Sequence, residues 1–117
     1  MALHFYTNSP DQLLKKFDAA IDQTEPKGKI TTWERSDGGD YTHKADNWAK
    51  KAWFRPSIHD GRLTFNIVKT KTTNVSVPVY GYYHGHLTET FLNHFDKDFS
   101  TAQSSALPSN TDIVNAS

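Results

Sequence analysis

Residues 53–68 read WFRPSIHDGRLTFNIV, and this stretch decides the fold. Two runs rich in aromatic and β-branched residues flank Asp60-Gly61, a dipeptide that favours a two-residue hairpin turn. Such a turn places His59 opposite Arg62 and fixes every pair before and after them. The predicted pairs are Ile58–Leu63, Ser57–Thr64, Pro56–Phe65, Arg55–Asn66, Phe54–Ile67 and Trp53–Val68.

This register divides the hairpin into two faces of different chemistry. One face is almost wholly apolar and should be buried, with Phe54, Pro56, Ile58, Leu63, Phe65 and Ile67. The opposite face carries Trp53, Arg55, Ser57, Thr64, Asn66 and Val68. A slip of one residue would mix the two sets, so the register is well determined once the hairpin forms.

A helix is predicted close to the N-terminus. Ser9 can cap it, Pro10 suits its first position, and Gln12 completes a capping box. Apolar residues then recur at helical spacing, and the helix should end before Pro26. The residues on this apolar stripe are Leu13, Leu14, Phe17 and Ile21.

A second helix is predicted from about His86 to about Phe99, because apolar residues recur there at intervals of four. Alternating β-formers predict further strands, with a turn at residues 37–40 between the second and third of them. These strands are Leu3–Thr7, Lys29–Ser36, Tyr41–Lys44 and Val75–Val79, whereas residues 45–50 suit either a helical turn or a loop.

These elements predict an α+β fold with a mostly antiparallel sheet of four to six strands. We expect the N-terminal and C-terminal helices to pack on one face of that sheet. Residues 1–99 should form a single domain, because 117 residues leave little room for a second one. Residues 100–117 are rich in Ser, Asn, Thr and Ala, which predicts a flexible polar tail.

Composition excludes several classes of protein. The chain has no cysteine, so disulfides and thiolate chemistry are impossible. It has no apolar run long enough for a transmembrane helix and no secretory signal pattern, so we expect a soluble cytoplasmic protein that does not contact a membrane. Neither GxxxxGK[ST] nor GxGxxG is present, and we expect no cofactor.

The predicted site lies on the polar face of the sheet. Val75–Val79 as a strand would bury its valines and place Tyr80, Tyr82 and His84 on the other side. That side would then present Trp53, Arg55, Asn66, Tyr80, Tyr82 and His84, with Trp33 and Arg35 as candidates to extend it. Aromatic rings beside cationic groups suit flat ligands, although cross-strand packing alone also explains such residues.

The sequence therefore predicts a small non-catalytic binding module with an aromatic and basic sheet face. An unknown protein partner or a second copy is expected first, because exposed aromatic patches often mark protein interfaces. A nucleic acid or a glycan is the next expectation, since bases and sugars stack on Trp and Tyr.

Two alternatives stay open. His84 and His86 on a strand would point to one side and, with His94 or Asp98, could hold a metal; a small histidine- or metal-dependent enzyme at His84, His86 and His94 is therefore one alternative. Residues 27–72 contain ten basic and five acidic residues, a net charge of +5 that could bind single-stranded nucleic acid. The flanking segments carry −5, so acidic helices beside basic strands would explain the same split.

Overall fold

The computed structural model describes residues 2–70 and 73–107, which form one six-stranded sheet and two helices. The elements in chain order are β1 Ala2–Tyr6, α1 Pro10–Asp22, β2 Trp33–Arg35, β3 Tyr41–His43, β4 Ala52–His59, β5 Arg62–Lys69, α2 Val77–Phe95 and β6 Thr101–Ser104. Every strand pair is antiparallel and the spatial order is β2-β3-β4-β5-β1-β6. The α+β class predicted from the sequence is confirmed.

The β4–β5 hairpin has the predicted register at every position, from Trp53 opposite Val68 to His59 opposite Arg62. Gly61 in the turn has a φ of 79°, a left-handed conformation that glycine adopts without steric cost. The turn residues therefore determine which side chains of these two strands share a face.

The core lies on the sheet face that carries Phe5, Phe54 and Phe65, which we call the inner face. Phe17 of α1 and Phe91 of α2 contact Phe65, with ring centroids 6.0 and 5.7 Å away. All five rings are fully buried. Residues of both helices thus contact the ring of Phe65 in the middle of the sheet. We call the opposite side of the sheet the outer face.

The first helix begins at Pro10, as predicted, and buries Leu13, Phe17 and Ala20. The predicted side-chain cap was wrong, because the side chain of Ser9 forms no capping hydrogen bond. Thr7 takes part at this end instead, since its hydroxyl oxygen accepts a hydrogen bond from the Ser9 backbone N–H at 3.2 Å.

The predicted strand Val75–Val79 was wrong, because α2 already begins at Val77 and includes most of this segment. Ser76 caps the helix, with its hydroxyl oxygen accepting from the Val79 N–H at 3.4 Å. Pro78 lies in the first turn, where a missing backbone N–H costs nothing. The helix then buries residues one turn apart, namely Tyr83, Leu87, Phe91 and Phe95.

The second helix also ends earlier than predicted, at Phe95 and not at Phe99. Phe99 still contacts the core, because its ring meets the edge of the Phe5 ring at 5.1 Å from the segment that follows the helix. The apolar spacing therefore indicated correctly that Phe99 packs against the core, but it did not indicate the backbone conformation of Phe99.

The segment after α2 contains a strand where a flexible tail was predicted. Thr101–Ser104 form β6, which pairs with β1 at the edge of the sheet. The Ser105 N–H also donates to the Ala2 carbonyl at 2.9 Å. Residues 101–104 of the predicted tail therefore belong to the sheet, while residues 108–117 of that tail lie outside the described residues.

One predicted core residue, Ile58, is 51% exposed. The short strand β3 pairs with β4 at Tyr41 and Phe54, so the hairpin end of β4 has a neighbour on one side only. Ile58 lies at that end, beyond the part of the sheet that β3 borders.

The central position of Phe65 predicts a large effect of its removal. Phe65→Ala should lower the free energy of unfolding by about 3–5 kcal/mol, because it leaves a cavity between the sheet and the helix residues. Ile58→Ala changes an exposed residue of the same face and should cost less than about 1 kcal/mol. Urea denaturation followed by tryptophan fluorescence measures both, and equal losses would contradict this account of the core.

Candidate functional site

The outer face of the hairpin carries the two predicted site residues that the structure brings together. Trp53 and Arg55 alternate with the buried residues Ala52 and Phe54 along β4. The Trp53 ring is half-buried, and the Arg55 side chain is 54% exposed. Because Phe54 is fully buried, the register predicted from the turn leaves the indole and the guanidinium on the side away from the core.

These two side chains border a shallow groove of about 260 Å³, which we call the Trp53 groove. Its wall combines the β2–β3 turn, β4 and the end of β5, and it is lined by Ser36, Asp40, Trp53, Arg55, Val68, Lys69 and Thr70. Trp53 and Val68 lie directly opposite each other in the ladder and supply the apolar surface. The remaining residues provide hydroxyl groups, one carboxylate and two cations.

Asp40 occupies this groove because of the predicted turn at residues 37–40. Gly39 has a φ of 88°, and the Asp40 N–H donates to the Ser36 hydroxyl oxygen at 3.1 Å. The Ser36 N–H donates to the Asp40 carbonyl at 2.8 Å, which closes the turn. Strand β3 then starts at Tyr41, beside β4, so the Asp40 carboxylate lies next to Arg55.

Arg55 and Asp40 form a two-point ion pair. Arg55 Nε donates to Asp40 Oδ1 and one terminal nitrogen donates to Oδ2, each at 3.1 Å. The hydrogen bond to the carboxylate raises the pKa of Arg55. Asp40 was not predicted as a site residue, because its place depends on the order of strands in the sheet. The pair gives the groove a fixed cation and a fixed anion side by side.

Asn66 lies opposite Arg55 on the neighbouring strand, as predicted. It is only 6% exposed and does not line the Trp53 groove. Its place on the outer face therefore agrees with the predicted register, but little of its surface faces solvent.

The other predicted site residues lie on α2 and not on the outer face. Tyr82 stacks on Trp48 at a centroid distance of 3.9 Å, and His84 stacks on the buried ring of Phe54 at 5.4 Å. Tyr80 meets the edge of His84 at 5.4 Å. Because the predicted strand is a helix, these side chains pack toward the inner side of the sheet.

Trp33 and Arg35, the candidates to extend the site, also belong to the inner side. Trp33 is 1% exposed and its Nε1–H donates to the Thr90 hydroxyl oxygen at 3.1 Å. Arg35 pairs with Asp18 at 3.0 Å and with Asp22 at 2.7 Å, both on α1. Neither residue reaches the Trp53 groove.

The predicted convergence of His84 and His86 was wrong. They are two positions apart on a helix, where successive residues turn by about 100°, so their rings leave in nearly opposite directions. His94 is exposed near the end of the same helix. Within residues 2–70 and 73–107, no three His, Asp or Glu side chains lie close enough to hold a metal ion.

His86 instead meets His43 of β3, with His43 Nε2 3.3 Å from His86 Nδ1. The Ala45 N–H donates to His43 Nδ1 at 3.0 Å, so a neutral His43 carries its proton on Nε2. His43 then donates to His86. If His43 Nε2 held a metal, the neutral ring would carry its proton on Nδ1. That N–H would then face the Ala45 N–H, and two donors cannot form a hydrogen bond with each other. The pair therefore suits a hydrogen bond between the two imidazoles better than a metal.

The His43–His86 pair predicts a pH-dependent stability. Burial, and secondly the neighbouring His86, lowers the pKa of His43 below its ordinary value of 6.5. The unfolded chain therefore binds more protons than the native protein as the pH falls through 6.5. The free energy of unfolding should be highest above this pH and decrease by up to about 1.4 kcal/mol per pH unit below it.

Urea unfolding between pH 7.5 and 5.5 measures this decrease. His43→Asn should flatten the dependence, whereas His94→Asn, which changes an exposed imidazole, should leave it intact. A steep dependence that survives in His43→Asn would contradict the assignment.

The chain matches no protein-family model, and neither the curated proteins nor the solved structures contain a match to it. In the part of the chain that the structure describes, neither helix is long and apolar enough to cross a membrane. The Trp53 groove and the histidine pair are two features of the structure that contain residues predicted as candidates from the sequence.

Proposed function

We propose that this protein is a small non-catalytic binding module that recognises its ligand through the Trp53 groove. One observation supports this above all: a half-buried indole and an ion pair of the exposed Arg55 with the half-buried Asp40 line the same groove, on the side of the sheet away from the core. An aromatic wall with a few fixed polar groups is the usual composition of a recognition site.

The chemistry of the groove favours binding over catalysis. Arg55 and Asp40 are joined to each other, and the Lys69 ammonium donates to the Thr70 carbonyl at 3.0 Å. Among the residues that line the groove, no hydroxyl lies within hydrogen-bond distance of a histidine that could act as a base. The imidazole pair, His43 and His86, belongs to the inner side of the sheet.

The charge pattern also bears on the choice of ligand. Arg35 of the basic segment 27–72 is paired with Asp18 and Asp22 of α1, two carboxylates that lie outside that segment. This neutralisation reduces the field that single-stranded nucleic acid would need.

The volume of about 260 Å³ suits one compact group, either a side chain of a partner protein or a ring of a small molecule. We also propose a cytoplasmic location.

The three tryptophans provide a test, because their indole N–H groups have different environments. In ¹⁵N–¹H spectra recorded with a library of small peptides, nucleotides and saccharides, ligands should shift the Trp53 indole signal. The buried Trp33 signal should stay in place, since its N–H is bonded to Thr90. Trp53→Ala should weaken binding at least about 10-fold, the usual effect of removing an aromatic anchor.

Trp48→Phe is the matched control, because Trp48 stacks on Tyr82 and does not line the groove. It should leave affinity within about two-fold. Ligands that bind equally well to Trp53→Ala and to the unchanged protein would refute the proposed site, and so would a library in which no compound moves the Trp53 signal.

A further inference from the structure

We infer that the Trp53 groove takes a neutral saccharide ring, which stacks on the indole and hydrogen-bonds to the Arg55–Asp40 pair. This inference rests on the proposed function and names its ligand. It follows from the charge, the hydrogen-bonding capacity and the shape of the groove.

The Arg55–Asp40 pair disfavours an ionic ligand at its own edge of the groove. The second cation of the lining, Lys69, gives the groove a net charge of +1 and donates to the Thr70 carbonyl at 3.0 Å. An anion that approached Arg55 would also meet the Asp40 carboxylate, which lies 3.1 Å from the guanidinium. A cation that approached Asp40 would meet Arg55 in the same way. A neutral hydroxyl has neither conflict, because it can donate to the carboxylate and accept from the guanidinium at once.

The pair keeps hydrogen-bonding capacity for such hydroxyls. A guanidinium has five N–H donors and a carboxylate about four acceptor positions. Two of each are used in the Arg55–Asp40 contact. The remaining donors and acceptors lie next to one another, and neighbouring hydroxyls of a sugar ring can engage both kinds. The Ser36 hydroxyl, whose oxygen accepts from the Asp40 N–H, adds a donor at the same edge.

The apolar part of the groove suits the other side of such a ring. Trp53 and Val68 are direct partners in the ladder and give one continuous apolar surface. The C–H face of a sugar can pack on an indole while its hydroxyls point to the polar edge. The groove of about 260 Å³ is smaller than the roughly 300–1,000 Å³ of sites for drug-sized ligands, so one ring fills it.

A nucleoside base could stack on the same indole, and it is therefore the competitor in the test. The full chain is titrated with neutral mono- and disaccharides of glucose, galactose, mannose and N-acetylglucosamine, and separately with adenosine, AMP and short peptides. The readouts are the Trp53 indole N–H signal and tryptophan fluorescence. We expect a saturable shift of Trp53 with at least one saccharide and none with AMP.

Variants then locate the contacts. Arg55→Lys keeps the charge but loses the planar fork, and it should weaken saccharide binding at least 10-fold. Trp53→Leu should do the same. Arg62→Lys, on the outer face but outside the groove, should leave affinity within about two-fold, and thermal unfolding shows that each variant is folded.

The possible failures are distinguishable. If peptides or adenosine move the Trp53 signal and no saccharide does, the inference is wrong and the binding module stands. If no probe moves that signal, the proposed function fails with it. Saccharide binding that is unchanged in both Trp53→Leu and Arg55→Lys would also overturn the inference, because the sugar would then bind elsewhere.

Discussion

The register of the β4–β5 hairpin is the constraint on which the rest of the structure depends. Phe65 lies opposite Pro56, and Phe54 lies opposite Ile67, so the apolar residues of both strands share the inner face. Side chains alternate strictly along a strand, and a slip of one residue would move Trp53 into the core and Phe54 into solvent. Burial of the apolar side chains on the inner face thus determines which side chains lie on the outer face.

Electrostatic pairing connects the basic middle of the chain to acidic residues of its N-terminal flank. Arg35 of β2 reaches Asp18 and Asp22 of α1, and Asp18 also accepts a hydrogen bond from the Tyr41 hydroxyl. Burial, followed by this contact with Asp18, raises the pKa of Tyr41. The acidic helix therefore neutralises part of the basic sheet on the inner side, whereas the outer side has its own pair, Arg55 and Asp40.

Local sequence was sufficient where a turn agreed with an alternating pattern, as in the β4–β5 hairpin. It was also sufficient for α1, where Pro10 precedes apolar residues at helical spacing. It failed at Val75–Val79, because the alternation of valine with small residues also occurs where a capped helix begins. Pro78, which has no backbone N–H, fits the first turn of α2. Strand β6 was missed because its sequence, TAQS, has no apolar alternation and pairs with the opposite end of the chain.

The same limit applies to the site. Trp53 and Arg55 could be placed from the hairpin alone, because both lie within one local register. Asp40 could not, since its contact requires β3 to lie next to β4. The His43–His86 contact joins residues 43 positions apart and depends on the true start of α2. Local patterns therefore identified a face of the sheet, while long-range packing decided which groups meet on it.

A buried polar cluster on the helix side holds the start of β4 and so supports the groove on the other side. The Tyr83 hydroxyl donates to the Trp48 carbonyl and accepts from the Lys51 N–H at 3.3 Å. The Thr42 hydroxyl donates to the Ala52 carbonyl at 2.9 Å. Trp53 follows directly after these anchored residues, so hydrogen bonds to its neighbours hold its backbone in place.

For the proposed binding function, this anchoring means that the groove loses less conformational entropy when a ligand binds. Lys50 adopts a φ of 58°, a conformation that non-glycine residues rarely take, and the surrounding hydrogen bonds hold it there. Hydrogen bonds on the helix side of the sheet thus order the backbone that carries Trp53 on the outer face. A shallow groove with a single aromatic wall needs such preorganisation, since its small contact area leaves little binding energy to order a flexible loop.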